Sequence, residues 1–248
     1  MDAKDYQKIY QNINEKAPIE SGVQTLVYMF LYEIMKDTDY QLIVIDRLNK
    51  KTQFVTPVGI SDLAVVSDDF KFSENSKDGI LSYVEVKGIG INLLNFEDQI
   101  KGQLLSCGKI LCTNGNEWKY YDIEKYIEKY SENDIDHIWA KNDYDDVKNI
   151  CYNIESTEKT LAIKKASYTH TKNDEYKKVY KDEIQELEQE IEKYRNELQN
   201  SLLGIPWLQN IMETPIINRK ISENDNINVI EYMKLKSELY SIISEWGK

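Results

Sequence analysis

Apolar residues along this chain repeat with periods that change from segment to segment, and those periods predict its elements. From Ile19 the segment ESGVQTLVYMFLYEIMKD places Val23, Val27, Phe30, Leu31 and Ile34 at helical spacing, which predicts a helix with one face on a core and Ser21 as its cap. YQLIVIDRL reads as a buried strand, and TQFVTPVGISDLAVVSDDF as further strand structure broken at Pro57 and Gly59. After the polar stretch FKFSENSKDG, ILSYVEVKG predicts another strand, antiparallel to the one before it. Past the small-residue loop GIGIN, NFEDQIKGQLLSC has the length of a short helix. GKILCTNGNEWKYYDI then predicts two strands joined at Asn114-Gly115. Helix, three strands, helix and strands make an α/β sandwich around a mixed sheet.

Beyond about residue 130 the pattern changes. SENDIDHIWAKNDYDDVKNI is acidic and irregular, and we place a boundary there, giving a 1–130 domain and a helical 131–248 region. In that region Tyr180, Ile184, Leu187, Ile191, Tyr194 and Leu198 alternate four and three apart over residues 174–203, as in a coiled-coil seam that Gly204 and Pro206 end. Tyr232, Leu235, Leu239, Ile242 and Trp246 repeat the spacing over 227–246. These two helices are expected to pair as a hairpin within the monomer, with a homodimer through the same seams as the other arrangement.

Charge narrows the partners. Among 248 residues, 43 acids outweigh 31 bases for a net −12, so no whole-molecule positive field draws in nucleic acid, and binding a phosphate backbone needs a local basic patch, a metal or a partner protein. An acidic active site that borrows positive charge from a metal remains compatible with that balance. Cys107, Cys112 and Cys151 have neither disulfide-framework nor CxxC zinc spacing, which fits a reducing cytoplasm. The start, MDAKDYQKIYQNINEKAP, lacks a signal-peptide core, and no segment has the apolar length of a membrane span.

The candidate chemistry lies in the strands. Glu85 and Lys87 stand two apart, so both side chains project from one face, and Asp62 falls near the middle of the preceding strand. Cross-strand neighbours lie about 5 Å apart, close enough for Asp62 and Glu85 to share a hard divalent ion with the Lys87 ammonium beside it. Alone, an ExK pair is more often the solvated end of a half-exposed strand, since Leu81, Tyr83, Glu85 and Lys87 share one face and Ile80, Val84 and Val86 the other.

The order of motifs adds weight. Gly59-Ile60-Ser61-Asp62, then Val84-Glu85-Val86-Lys87, a helix carrying Gln99, and ILCTNGNEWKYYD together resemble the PD-(D/E)xK nuclease superfamily. The likeness spans about residues 19–122 and is nearest to the N-terminal nuclease domain of type I restriction subunits. It implies a restriction-endonuclease-like mixed sheet flanked by helices and Mg²⁺-dependent hydrolysis of DNA, with Mn²⁺ able to substitute. It also implies Asp62, Glu85 and Glu20 as metal ligands, Lys87 assisting the attacking water, Gln99 steadying the site, and a role in restriction or anti-phage defence with an activating partner. Two positions depart from the family pattern: Ser61 replaces the Pro before the Asp, and Gln103 stands where a QxxxY motif has Tyr. A silent nuclease-fold scaffold working through protein contacts, or an RNA-directed nuclease, are the alternatives.

Other chemistries find little support. The two histidines, His137 and His170, cannot build a multi-imidazole site, no GxSxG elbow occurs, and Gly102-QLLSC-Gly108-Lys109 ends in Ile110 where a phosphate loop needs Ser or Thr. Trp118, Tyr120 and Tyr121 at strand spacing are expected to be core.

Overall fold

The computed structural model describes residues 1–16, 18–45, 52–72, 77–130, 135–203, 206–223 and 226–246. Two helices open the chain, α1 (Ala3–Lys16) and α2 (Glu20–Met35), followed by strands β1 (Gln41–Val44), β2 (Leu63–Val66) and β3 (Ile80–Val86). A 3₁₀ turn, Leu93–Phe96, leads into α3 (Glu97–Cys107), then β4 (Lys109–Thr113), β5 (Glu117–Asp122) and α4 (Ile123–Tyr130). Two long helices follow, α5 (Ile135–His170) and α6 (Asp174–Leu203). The chain closes with α7 (Pro206–Glu213), β6 (Ile217–Lys220), a small hairpin of β7 (Ser222–Glu223) and β8 (Asn226–Ile227), and α8 (Val229–Ile243).

Strands β1 to β6 lie side by side in chain order in one sheet, all neighbours antiparallel except β3 and β4, which α3 joins as a parallel crossover. Both faces are covered, which is why the strands read as nearly continuous apolar runs. Leu63, Val65, Val84, Val86, Leu111, Trp118 and Tyr120 face α1, α2 and α8. Ala64, Val66, Tyr83, Ile110, Cys112 and Tyr121 face α3, α5, α6 and α7. The result is a three-layer mixed α/β sandwich. The expected antiparallel pairing, the short helix and the Asn114-Gly115 turn are present, with Gly115 left-handed at φ 83°. Of TQFVTPVGISDLAVVSDDF, however, only Leu63–Val66 is a strand: Thr52–Phe54 forms a 3₁₀ turn, and Thr56 and Gly59 make an isolated bridge around Pro57.

Three further expectations about the architecture need correction. The first concerns the cap of α2, which begins at Glu20 behind an Ile19 with no side-chain cap bond, so Ser21 lies inside the helix. The second is the boundary near residue 130, which does not divide the fold. β6 extends the sheet beside β5, and Tyr232, Leu235, Leu239, Ile242 and Trp246 of α8 are buried against α2 and the sheet. The third is the pairing of heptad helices, because α6 runs against α5 while α8 lies on the opposite face of the sheet. The α8 seam is consumed within the chain, and Ile191 and Leu198 of α6 are buried in the core beneath α5. Gly204, expected to stop α6, lies outside the described residues.

A polar tie fastens α5 to this body. Lys77 Nζ lies 2.6 Å from Glu155 Oε1 of α5 and donates to Ser106 Oγ at 2.8 Å and the Val55 carbonyl at 2.6 Å.

Candidate active site

Asp62 immediately precedes β2, not in mid-strand, and the register there sets its position. Leu63 pairs with Val84, so one step back places Asp62 across from Glu85, on the face that looks toward α3. Asp62 Oδ2 accepts a hydrogen bond from the Val86 N–H at 2.7 Å, which pins the carboxylate over β3. Glu85 and Lys87 are only 3% and 8% exposed, so they are not the solvated end of an open strand.

A buried carboxylate must have its acceptor sites filled or its charge becomes expensive. Four donors converge on Glu85: Lys87 Nζ at 2.6 Å and Gln99 Nε2 at 2.7 Å reach Oε1, while Gln103 Nε2 at 2.7 Å and Ser61 Oγ at 3.2 Å reach Oε2. Gln99 and Gln103 stand four apart, one helical turn, so both amides descend from the same side of α3. Close packing sets the height of that helix, because a Cβ at Gly102 would lie 2.5 Å from Val58 Cγ1. Asn92 caps the preceding 3₁₀ turn by accepting from the Leu94 N–H at 3.0 Å, and this turn brings Phe96 beneath Lys87, whose Nζ sits 4.5 Å from the ring centroid.

The TNGN turn holds the site from below. Asn114 Nδ2 donates to the Ile91 carbonyl at 2.8 Å, fixing the glycine-containing loop after Lys87, while Asn114 Oδ1 accepts from the Asn116 and Glu117 N–H groups. Tyr6 of α1 donates to the Gly115 carbonyl at 2.6 Å and Asn116 Oδ1 accepts from the Ser222 N–H at 2.8 Å, so both ends of the chain are tied to this turn.

Electrostatics single out Asp62. Burial first, then the Glu85 charge and that of Glu20, together raise its pKa to about 7 against the opposing pull of the Val86 N–H and the Lys87 ammonium. Glu20 itself is exposed at the first residue of α2, so the structure places it at the rim of the site. Asp62, Glu85, Lys87 and Gln99 are brought together. Glu20 acts on them only through its charge.

The fit to a divalent ion is one of chemistry more than of completed geometry. Crowded carboxylates that raise a neighbour's pKa are the donor set a hard cation relieves. Yet among the described residues no three His, Cys, Asp or Glu side chains form a ready ligand group, and Glu85 has donors on both oxygens. Asp62 has its second oxygen to offer a cation, whereas Glu85 would have to exchange one of its four donors to join it.

The sequence reading treated Ser61 and Gln103 only as departures from a family pattern. The structure makes them the two donors to Glu85 Oε2, and the available signal was that both replacements carry hydrogen-bond donors. Phe96 was missed altogether, since an aromatic at a helix start marks no site by itself. No family model, no curated protein and no solved structure matches this chain. Among the described residues no helix is long and apolar enough to cross a membrane.

Proposed function

We propose that this chain is a Mg²⁺-dependent phosphodiesterase with a restriction-endonuclease-like fold that hydrolyses DNA. The observation that carries this reading is the cluster of Asp62, Glu85 and Lys87 where the start of β2 meets the end of the antiparallel β3, with Glu85 and Lys87 buried under a crossover helix whose glutamines hold Glu85. Asp62 and Glu85 hold the cation, with Glu20 contributing charge from the rim, and Mn²⁺ substitutes. When bound, the cation polarises the phosphoryl oxygens and makes water a stronger nucleophile near neutral pH. Lys87, fixed between Glu85 and the Phe96 ring, stabilises negative charge that develops at phosphorus and orients the attacking water. Gln99 and Gln103 keep Glu85 in place as Lys87 turns to substrate, which limits reorganisation in the reacting state.

Calorimetry with Mn²⁺ tests the site: wild type binds the ion and Asp62→Ala does not. Equal heats from the two proteins sink the assignment. Matched DNA and RNA duplexes then separate DNA cleavage from an RNA-directed activity.

One observation favours a second reading. Glu85 is already satisfied by four protein donors, as in a structural buried carboxylate, so a silent scaffold acting through protein contacts is the rival. Under that reading Lys87→Met costs stability and changes no activity. A protein of net −12 also meets DNA more readily with an activating partner, and cleavage that appears only in a cell extract points to one.

A further inference from the structure

Charge is unevenly distributed along the α5–α6 hairpin. Its ion pairs, Glu158 with Arg195, Lys164 with Glu183 and Lys165 with Glu188, run in opposite directions along the two helices, so the hairpin is antiparallel with its tip at Thr171–Asn173. Asn173 closes that tip by accepting from the Glu175 and Tyr176 N–H groups. Residues 159–181, the distal part, carry seven lysines against Asp174 and Glu175, a net +5, which leaves −17 on the rest of the chain. Just below, residues 182–197 carry seven acids against Lys193 and Arg195. The arm is therefore polarised, basic at its end and acidic toward the body.

The basic charge is accessible. Lys164 and Lys165 are spent on Glu183 and Glu188, but Lys172, Lys177, Lys178 and Lys181 make no ion pair among the described residues, and all but the half-buried Lys177 are exposed. Interleaved with them, Tyr168 and Tyr176 are 39% and 61% exposed. The last α5 side chain against the core is Leu161, so the helix continues nine residues, roughly 14 Å, to His170 beyond its apolar support.

We infer that the tip of the α5–α6 hairpin is a docking surface for the phosphate backbone of duplex DNA. The inference rests on the nuclease reading above for its choice of partner and on the charge pattern for its location. A positive end is drawn more strongly to the dense, regular charge of a duplex polyanion than to the diffuse −17 spread over the body of a second copy, and lysines interleaved with exposed tyrosines suit backbone contact without sequence readout. The arm also leaves the body away from the candidate active site. Lys159, Thr160 and Ile163 line a cleft of about 640 Å³ with Lys77, Asp78 and Ile80, at the start of β3, and Glu85 is five residues up that strand, roughly 17 Å away. The arm thus grips backbone outside the scissile phosphate, supplying the basic patch that the active site lacks.

The test is fluorescence anisotropy with a labelled 30-base-pair DNA duplex, without divalent ion so that nothing is cut, across a salt series. The proteins are wild type, a variant with Lys172, Lys177, Lys178 and Lys181 all changed to Gln, and the same four changed to Arg. Four lost phosphate contacts make the log–log salt slope shallower by about 3 to 4 and weaken binding at least tenfold at low salt, and Arg restores both. Unchanged affinity and slope in the Gln variant overturn the inference, as does tighter binding of a matched single-stranded RNA by wild type. Far-ultraviolet circular dichroism, unchanged by these substitutions at and beside the tip, separates lost contacts from lost folding. Binding that depends on the arm in a protein that never cuts refutes the nuclease reading alone, and cleavage with arm-independent binding refutes the arm alone.

Discussion

Replacing Asp62 with Asn should stabilise the protein, and by more at high pH than at low. In the folded chain burial and the Glu85 charge lift the Asp62 pKa from 3.8 to about 7. A carboxyl raised in this way disfavours folding when ionised: below the unfolded pKa both states are protonated and nothing is lost, and between that value and about 7 stability falls as pH rises. Above 7 the whole cost is present. A shift of about three pKa units corresponds to roughly 4 kcal/mol at about 1.4 kcal/mol per unit, an upper bound because Asp62 is half-buried and partly screened by water. We take about 2 kcal/mol as the expected gain at pH 8. At 2–4 °C per kcal/mol for a chain of this size, Asp62→Asn should raise the Tm by about 4–8 °C at pH 8, by less at pH 5, and hardly at all near pH 4. The assay is scanning calorimetry of both proteins in metal-free buffer across that range. Added Mg²⁺ should narrow the gap by stabilising wild type alone. An unchanged or lower Tm in the variant at pH 8, or a gap independent of pH, would refute the claim that Asp62 is held in an unfavourable charged state.

Other substitutions probe the supports of the site. Gln103→Glu keeps the shape of the side chain but sets a carboxylate where a donor now lies 2.7 Å from Glu85; it should cost at least about 2 kcal/mol in urea unfolding at pH 8 and much less at pH 4, where a proton restores the donor. Glu155→Ala strands the Lys77 ammonium in the interior, with an expected loss of about 3 kcal/mol, whereas changing Lys77 and Glu155 together to Met and Leu should recover most of it. A chain ended at residue 203 lacks β6 and α8 and should lose cooperative thermal unfolding, because Trp118, Phe30 and Tyr6 lose the cover of Tyr232; a sharp transition in that fragment would mean that the boundary near 130 is real after all.

The strands and their pairing were legible because each carries a local signal: apolar runs bounded by Pro57, Gly59 and Asn114-Gly115, and a period that makes Glu85 and Lys87 share a face. The return of the C-terminus to the sheet was not. INRK is too short and polar to mark a strand, and it becomes one only because Ile217 and its neighbours meet the open edge of β5. Heptad spacing in α8 was real but ambiguous, since the same stripe serves a partner helix or the sheet core, and tertiary packing decided for the core. At the site, spacing put Glu85 and Lys87 on one face and Asp62 on the neighbouring segment, whereas Gln99 entered only through the resemblance in motif order. The roles of Ser61 and Gln103 depended on a cross-strand register and a helix height that no local pattern encodes.

The most direct test of the central claim is cleavage of supercoiled plasmid DNA by purified protein in Mg²⁺ or Mn²⁺, comparing wild type with Glu85→Gln and Lys87→Met. The account predicts nicking and linearisation by wild type that depends on the cation, and rates at least a hundredfold lower in each variant while their circular dichroism spectra stay native. Wild-type cutting that both variants match, or no cutting of DNA by wild type with either cation, would contradict it.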